Sequence, residues 1–255
     1  MSRLLKGILI RTWFPVVLVA LWQIVLAHST NPFFPPPTKI VSAARNVITP
    51  EWISTSLYSS LTTLFAGYFI GSFLGVICGA LIGNNNTARI VLTPITNFVR
   101  SIPSVAKVPV IMALLGLGTA TRICAVSVAV LFPVLMATMR AVATTPKELT
   151  EITEILGYGS IRSLIEVRLP AATGEILAGL HAAVQVALLV MVISEMLGSG
   201  IGVGAFIIRS QSTFMIADMW VGILVLGVLG IILNELFMLA ERRIAPWYFN
   251  SKELA

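Results

Sequence analysis

An all-α, polytopic membrane protein with about six transmembrane helices is the fold class this sequence predicts, and three observations predict it. Of 255 residues, 57% are hydrophobic and only 11% are charged, whereas a soluble domain carries about 25% charge. The apolar residues gather in six stretches, each near the ~20 residues that a helix needs to cross a bilayer core. The Lys and Arg residues spread unevenly over the loops between those stretches, as they do in multi-pass proteins. Mean hydropathy is +0.94. Charge this sparse excludes a soluble globule, a fibre and a disordered chain. Cys78 and Cys124 lie inside apolar runs, where a thiol behaves as a small hydrophobe, so no disulfide framework is expected.

The elements follow in order within a single transmembrane domain spanning 1–255. The first stretch runs near Trp13 to Ala27, after Arg3, Lys6 and Arg11. A basic segment before a short apolar run is also the pattern of a secretory signal. A retained helix is expected, because removing it would invert the parity of every later span. The second stretch runs near Leu57 to Ile82 and carries Gly67, Gly71, Gly75, Gly79 and Gly83. Glycines at spacing four form one smooth ridge, and such ridges let helix backbones approach closely in lipid. A helix-packing role is expected for them. The third stretch, near Val91 to Gly116, is interrupted by Pro94, Pro103 and Pro109 and charged by Arg100 and Lys107. Irregular backbone at membrane depth is tolerated only where protein or a water-filled cavity covers it. A broken span beside a transport pathway fits, and so does a re-entrant or tilted helix with Lys107 snorkelling to a headgroup.

The fourth, fifth and sixth stretches run near Ile123 to Val142, Ala172 to Leu197 and Met219 to Ala240. On the fifth, at about 100° per residue, His181, Gln185 and Glu195 share one face with Gly174, Ala178, Leu188 and Val192. Polar groups at this depth are costly and usually face a cavity or a partner. That face, with Arg100 and Lys107, is therefore expected to line a translocation pathway.

Orientation follows from charge. With the N-terminus inside, 12 of the 17 Lys and Arg fall on the cytoplasmic side: Arg3, Lys6, Arg11, Arg89, Arg100, Arg140, Lys147, Arg162, Arg168, Arg242, Arg243 and Lys252. Lys39, Arg45, Arg122 and Arg209 fall outside, and Lys107 lies within a span. This bias predicts both termini in the cytoplasm. It also accounts for the net charge of +6 without a nucleic-acid partner. Trp13, Trp22, Trp220, Trp247 and Tyr248 stand near proposed helix ends, where aromatic residues anchor at the interface.

The cytoplasmic loop over 145–170 is the most informative segment. Thr145, Pro146 and Glu148 read as an N-cap, a first-turn proline and a capping-box glutamate. Leu149, Ile152, Ile155 and Leu156 make an apolar stripe at helical spacing, and Gly157 is placed to end the helix in a left-handed turn. A helix of about 11 residues is marginal alone in water, so its stripe should dock, either on the protein's own helices or on a partner.

These residues carry a resemblance. Glu151-Ile152-Thr153, three residues, Gly157, nine residues, Val167, one residue and Leu169-Pro170 resemble the EAA loop of importer-type ABC permeases, Glu-Ala-Ala…Gly…Ile-x-Leu-Pro, at the same spacing. Ile152 and Thr153 replace the two alanines, and Val167 the isoleucine. NPFFPPPTKIVSA, VRSIPSVAKVPVIMALLGLG, GSGIGVGAFI and ERRIAPWY resemble segments of the nitrate/sulfonate/taurine/bicarbonate-like branch, so the likeness covers nearly the whole chain. Two departures stand out: Lys107 occupies a usually apolar position, and Leu114-Leu115-Gly116 replaces Trp-Phe-Gly.

The resemblance implies the importer-type ABC permease fold and ATP-driven import of a small solute, a nitrate-, sulfonate- or taurine-like anion, by alternating access. It implies a homodimer with a second copy of the permease, a cytoplasmic ABC ATPase dimer, an extracytoplasmic solute-binding protein and a bacterial inner-membrane location. ATPase coupling would rest on Glu151, Ile152, Thr153, Leu156, Gly157, Leu169 and Pro170. The chain carries no phosphate-binding Gly-x-x-x-x-Gly-Lys-Ser/Thr loop and no metalloprotease or serine-hydrolase motif. Hence no cofactor, no metal and no catalytic residue is expected in it, with ATP and Mg bound by the partner ATPase. The rivals are a self-sufficient secondary transporter or channel, which would need no docking helix, and an intramembrane enzyme, which would need a nucleophile–base or metal constellation.

Overall fold

The computed structural model describes residues 3–27, 31, 33–198 and 200–246, with side chains from Trp13 onward. The expected anchors Trp247 and Tyr248, and the expected cytoplasmic charge Lys252, lie outside the described residues. All regular structure among the described residues is helical. In chain order the helices are α1 (Arg3–Leu26), α2 (Pro37–Val47), α3 (Pro50–Asn84), α4 (Asn86–Ser101), α5 (Ser104–Leu115), α6 (Thr119–Ala143), α7 (Lys147–Ile155), α8 (Ser160–Leu197), α9 (Val203–Ser212) and α10 (Ile216–Ile244).

Helices α3, α6, α8 and α10 are each long and apolar enough to cross a membrane. The apolar part of α1 over Trp13–Leu26 is shorter. The third predicted stretch is two helices, α4 and α5, bent by 89° at the break between them. Of its three prolines only Pro103 breaks the chain; Pro94 and Pro109 sit inside helices. The residue before a proline is pushed out of the helical region, and Ile102 is extended at φ −78, ψ 120.

Two helices begin earlier than hydropathy predicts. Helix α3 starts at Pro50, where the Thr49 hydroxyl accepts the Trp52 N–H at 3.2 Å, a side-chain N-cap with proline at the first helical position. Helix α8 starts at Ser160 rather than near Ala172, so Leu169 and Pro170 are helical. A wide turn over Leu164–Arg168 makes this possible: the Leu169 N–H donates to Leu164 O, and the ladder has shifted before Pro170, which has no N–H to donate.

The centre is the contact between α3 and α6, which run in the same direction. A Cβ on Gly67 would lie 2.5 Å from Val126 Cβ, one on Gly75 would lie 2.9 Å from Leu131 O, and one on Gly83 would lie 2.6 Å from Met139 O. Gly71 and Gly79 face the Ser127 and Leu135 carbonyls in the same way. All five glycines therefore lie against α6. Around this contact Leu64, Val108, Val126, Val130, Val134, Val190 and Met191 close an apolar core drawn from α3, α5, α6 and α8. At one end of the bundle Trp220 joins α10 to the segment before α2: its indole N–H donates to Phe33 O at 3.1 Å, and its ring lies 5.2 Å from that of Trp22. Helix α7 lies at the opposite end, after the last turn of α6.

Candidate coupling helix and translocation pathway

Helix α7 has an exposed apolar side. Thr145 does not cap it: its hydroxyl donates back to Val142 O at 2.9 Å, and Pro146, extended at ψ 137, takes the N-cap place without a side-chain bond. The capping box read from Thr145 and Glu148 is therefore not formed. Pro146 holds Thr145 out of the helix, while Glu148 remains in the first turn, where a carboxylate suits the helix dipole.

The C-terminal end is a Schellman turn. Gly157, at φ 68, donates its N–H to Glu154 O at 3.0 Å, and the Tyr158 N–H reaches Thr153 O at 2.9 Å. Thr153 is buried; its hydroxyl lies 3.1 Å from that of Ser163 on α8. Asn84, at the end of α3, donates to the Ser160 hydroxyl at 2.8 Å. The buried side of α7 thus rests on the first turns of α8, which are tied to α3. The other side is open: Ile152, Ile155 and Leu156 are 51%, 84% and 61% exposed, and Glu151 is exposed beside them. Leu169 and Pro170 line a groove of about 390 Å³ on α8 with Ile165, Thr173, Ile176 and Leu177.

The polar residues expected on one face of α8 separate into three environments. Glu195 is fully buried, and its Oε2 accepts the Ser60 hydroxyl and the Gly204 N–H, each at 2.9 Å. The Ser60 hydroxyl in turn accepts the Val203 N–H at 2.9 Å. Arg122 Nη1 stands 3.7 Å from Glu195 Oε1 and donates to Ile201 O at 2.8 Å, while Nη2 donates to Thr119 Oγ1 at 2.9 Å. Glu195 therefore caps the N-terminus of α9 from α8, with a cation from α6 behind it and a hydroxyl from α3 beside it. Its carboxylate is engaged inside the bundle rather than turned to a cavity, which corrects the pathway role read from its helical face. Gly202, at φ 114, lies so close to the Glu195 carboxyl group that a Cβ would overlap it. Arg122, read from the sequence as an outer-loop charge, is 1% exposed. The readable signal is two opposite charges, each at the edge of a predicted span, at the same end of the bundle.

His181 turns to α10. Its Nε2 lies 2.9 Å from Asn234 Oδ1, its Nδ1 lies 3.4 Å from Glu241 Oε2, and its ring stacks on Phe237 at 4.9 Å. Hydropathy singles out neither Asn234 nor Glu241, since both lie near the polar end of an otherwise apolar stretch. Gln185 is exposed on the outside of α8. The shared face dissolves because α8 is long: near Glu195 its neighbours include α3, α6 and α9, and near His181 they include α3, α6 and α10.

Lys107 lies in the first turn of α5, partly buried, with its ammonium 5.0 Å from the centroid of the Phe132 ring on α6. No carboxylate among the described residues pairs with it. Arg100 is exposed near the end of α4. The 89° bend lies between these two cations, which therefore sit on different helices. No group of three or more His, Cys, Asp or Glu that could hold a metal occurs among the described residues.

Comparisons with known proteins agree over most of the chain. The family model described as "Binding-protein-dependent transport system inner membrane component" matches residues 71–250. The chain is 26% identical over 245 residues to the putative aliphatic sulfonates transport permease protein SsuC of Bacillus subtilis, covering 95% of this chain and 87% of that one. It is 26% identical over 240 residues to the taurine transport system permease protein TauC of Escherichia coli, covering 91% and 87%. It is 23% identical over 239 residues to the nitrate import permease protein NrtB of a Synechocystis strain, covering 90% and 86%. Among solved structures, a chain of the MetNI methionine ABC transporter in an inward-facing conformation shares the fold, with a TM-score of 0.58 at 20% identity, covering 76% of this chain and 94% of that one.

Proposed function

The chain belongs to the family of binding-protein-dependent transport system inner membrane components, in the nitrate/sulfonate/taurine branch of ABC importer permeases, and on that premise we propose that it imports a small anion of that kind by alternating access. It does so as a homodimer, with a cytoplasmic ABC ATPase dimer that binds ATP and Mg, and with an extracytoplasmic binding protein that delivers the solute. It lies in the bacterial cytoplasmic membrane with both termini inside, α7 on the cytoplasmic side and α2 and α9 outside.

The observation that carries this reading is the open side of α7. Ile155, at 84% exposure, stands on the side of α7 that faces away from α8, in a position where water would surround it. An ATPase groove would cover Ile152, Ile155 and Leu156, with Glu151 at its edge, while Thr153 keeps α7 seated on α8. Leu169 and Pro170 extend the contact along α8. Movement of the ATPases would then reach α3 through Ser160 and Asn84. The solute path would run beside α5 and α8, with Arg100, Lys107, His181 and Gln185 as its candidate polar groups. A self-sufficient transporter has no use for such a docking helix.

Copurification tests the coupling. The permease should bring down its ATPase, and the pair should hydrolyse ATP. Gly157→Val should still insert in the membrane but lose the ATPase, because a β-branched residue is strained at positive φ by about 1–2 kcal/mol. Gly157→Asn should retain it, since Asn tolerates that conformation and nothing stands within 4 Å of the added Cβ. Uptake driven by an ion gradient in vesicles that lack the ATPase would instead establish the secondary-transporter reading.

A further inference from the structure

Among the described residues, Lys107 is a cation beside the middle of α6 that the fold leaves without a counter-ion. Its depth follows from its neighbour. Phe132 lies near the middle of α6, level with the ridge between Gly71, which meets Val130, and Gly75, which meets Val134. Arg122 and Glu195 neutralise each other at the outer end, and His181 meets Glu241. Glu175 and Glu235 are exposed, nearer the α7 end of the bundle. Lys107 meets only the face of an aromatic ring, which attracts a cation but leaves its charge in place. A lone cation at this depth is unfavourable unless water or an anion reaches it.

The chain also breaks at Ile102–Pro103, about one turn before Lys107, with an 89° bend. Broken backbone at membrane depth requires cover by protein or by a water-filled cavity. The break and the unpaired ammonium therefore point to the same wet place.

We propose that Lys107, held against Phe132, is a charge-selecting station that passing anions contact midway across the membrane. The inference rests on the reading of this chain as an importer permease. The ammonium attracts a single negative charge on the solute and disfavours cations, while the ring keeps the lysine stem on the α6 side. A solute with a net negative charge depends on Lys107 more than one whose charges cancel.

The test uses the complete complex of permease, ATPase and binding protein in proteoliposomes, with nitrate and isethionate as anions and taurine as a zwitterion. Lys107→Cys is made in a Cys78→Ser, Cys124→Ser background that itself transports. Uptake of an anion should fall about tenfold, a barrier change of ~1.4 kcal/mol, and that of taurine less, while assembly and ATP hydrolysis persist. Treatment with aminoethyl methanethiosulfonate, which attaches an ammonium to the introduced thiol, should restore anion uptake. Treatment with methyl methanethiosulfonate, which adds bulk without charge, should not.

Equal restoration by both reagents would overturn the proposal, as would unimpaired anion uptake by Lys107→Met. Failure of both Lys107→Met and Lys107→Cys complexes to assemble would make the residue structural and overturn it too. If the unmodified complex binds no ATPase or takes up none of the three solutes, it is the underlying importer reading that fails.

Discussion

Arg122 and Glu195 meet deep in the α9 end of the bundle, 1% and 0% exposed in their side chains. A buried pair contributes little net stability over a well-packed apolar pair, but removing one partner leaves the other charge uncompensated, at about 3–5 kcal/mol. Glu195 also caps α9 through Gly204 and supports Ser60, so its loss should release α9 as well as strand Arg122. Glu195→Leu and Arg122→Met should each lower the thermal unfolding temperature of the purified permease in detergent. The double variant should be more stable than the sum of the two single effects predicts, because neither charge is then stranded. Strict additivity would show that the two side chains do not act as a pair.

At the scale of elements, α3 and α6 meet backbone to backbone along the glycine ridge. A side chain there collides with main chain, which cannot rotate away. Gly75→Leu should therefore separate the helices and destabilise the permease by about 1–3 kcal/mol, in the range of overpacked cores. Gly227, on α10, is the control: nothing lies within 4 Å of its Cβ position, so Gly227→Ala should change the unfolding temperature little. The ridge was legible in the sequence because a spacing of four is a property of one helix. Its partner was not, because every other apolar span offers α3 a surface of similar hydropathy. The same limit applies to the break in the third stretch. Three prolines were visible there, and only Pro103, at a position where two helices turn apart, ends a helix.

At the scale of the whole molecule, the charge asymmetry sets the orientation to be tested. In a background lacking Cys78 and Cys124, a cysteine in place of Ile155 should react with a membrane-impermeant maleimide only after the membrane is opened. A cysteine in place of Phe214, which is 76% exposed between α9 and α10, should react from outside in intact cells. Labelling of position 155 in intact cells would invert the orientation and remove α7 from the reach of any cytoplasmic ATPase.

By itself the sequence determined the class of this protein. The apolar stretches, the Lys and Arg bias, the glycine ridge and the spacing of Glu151, Gly157, Leu169 and Pro170 are properties of short segments, and they survive without knowing which helices touch. Only the tertiary structure decided what the polar residues do. His181, Gln185 and Glu195 share one helical face, yet the first meets Asn234 and Glu241, the second is exposed, and the third is locked to Arg122, Ser60 and Gly204. The reason is that the energy of a polar group in the membrane depends on the partner it finds. Those partners come from distant parts of the chain, brought together by packing that one-dimensional hydropathy does not encode.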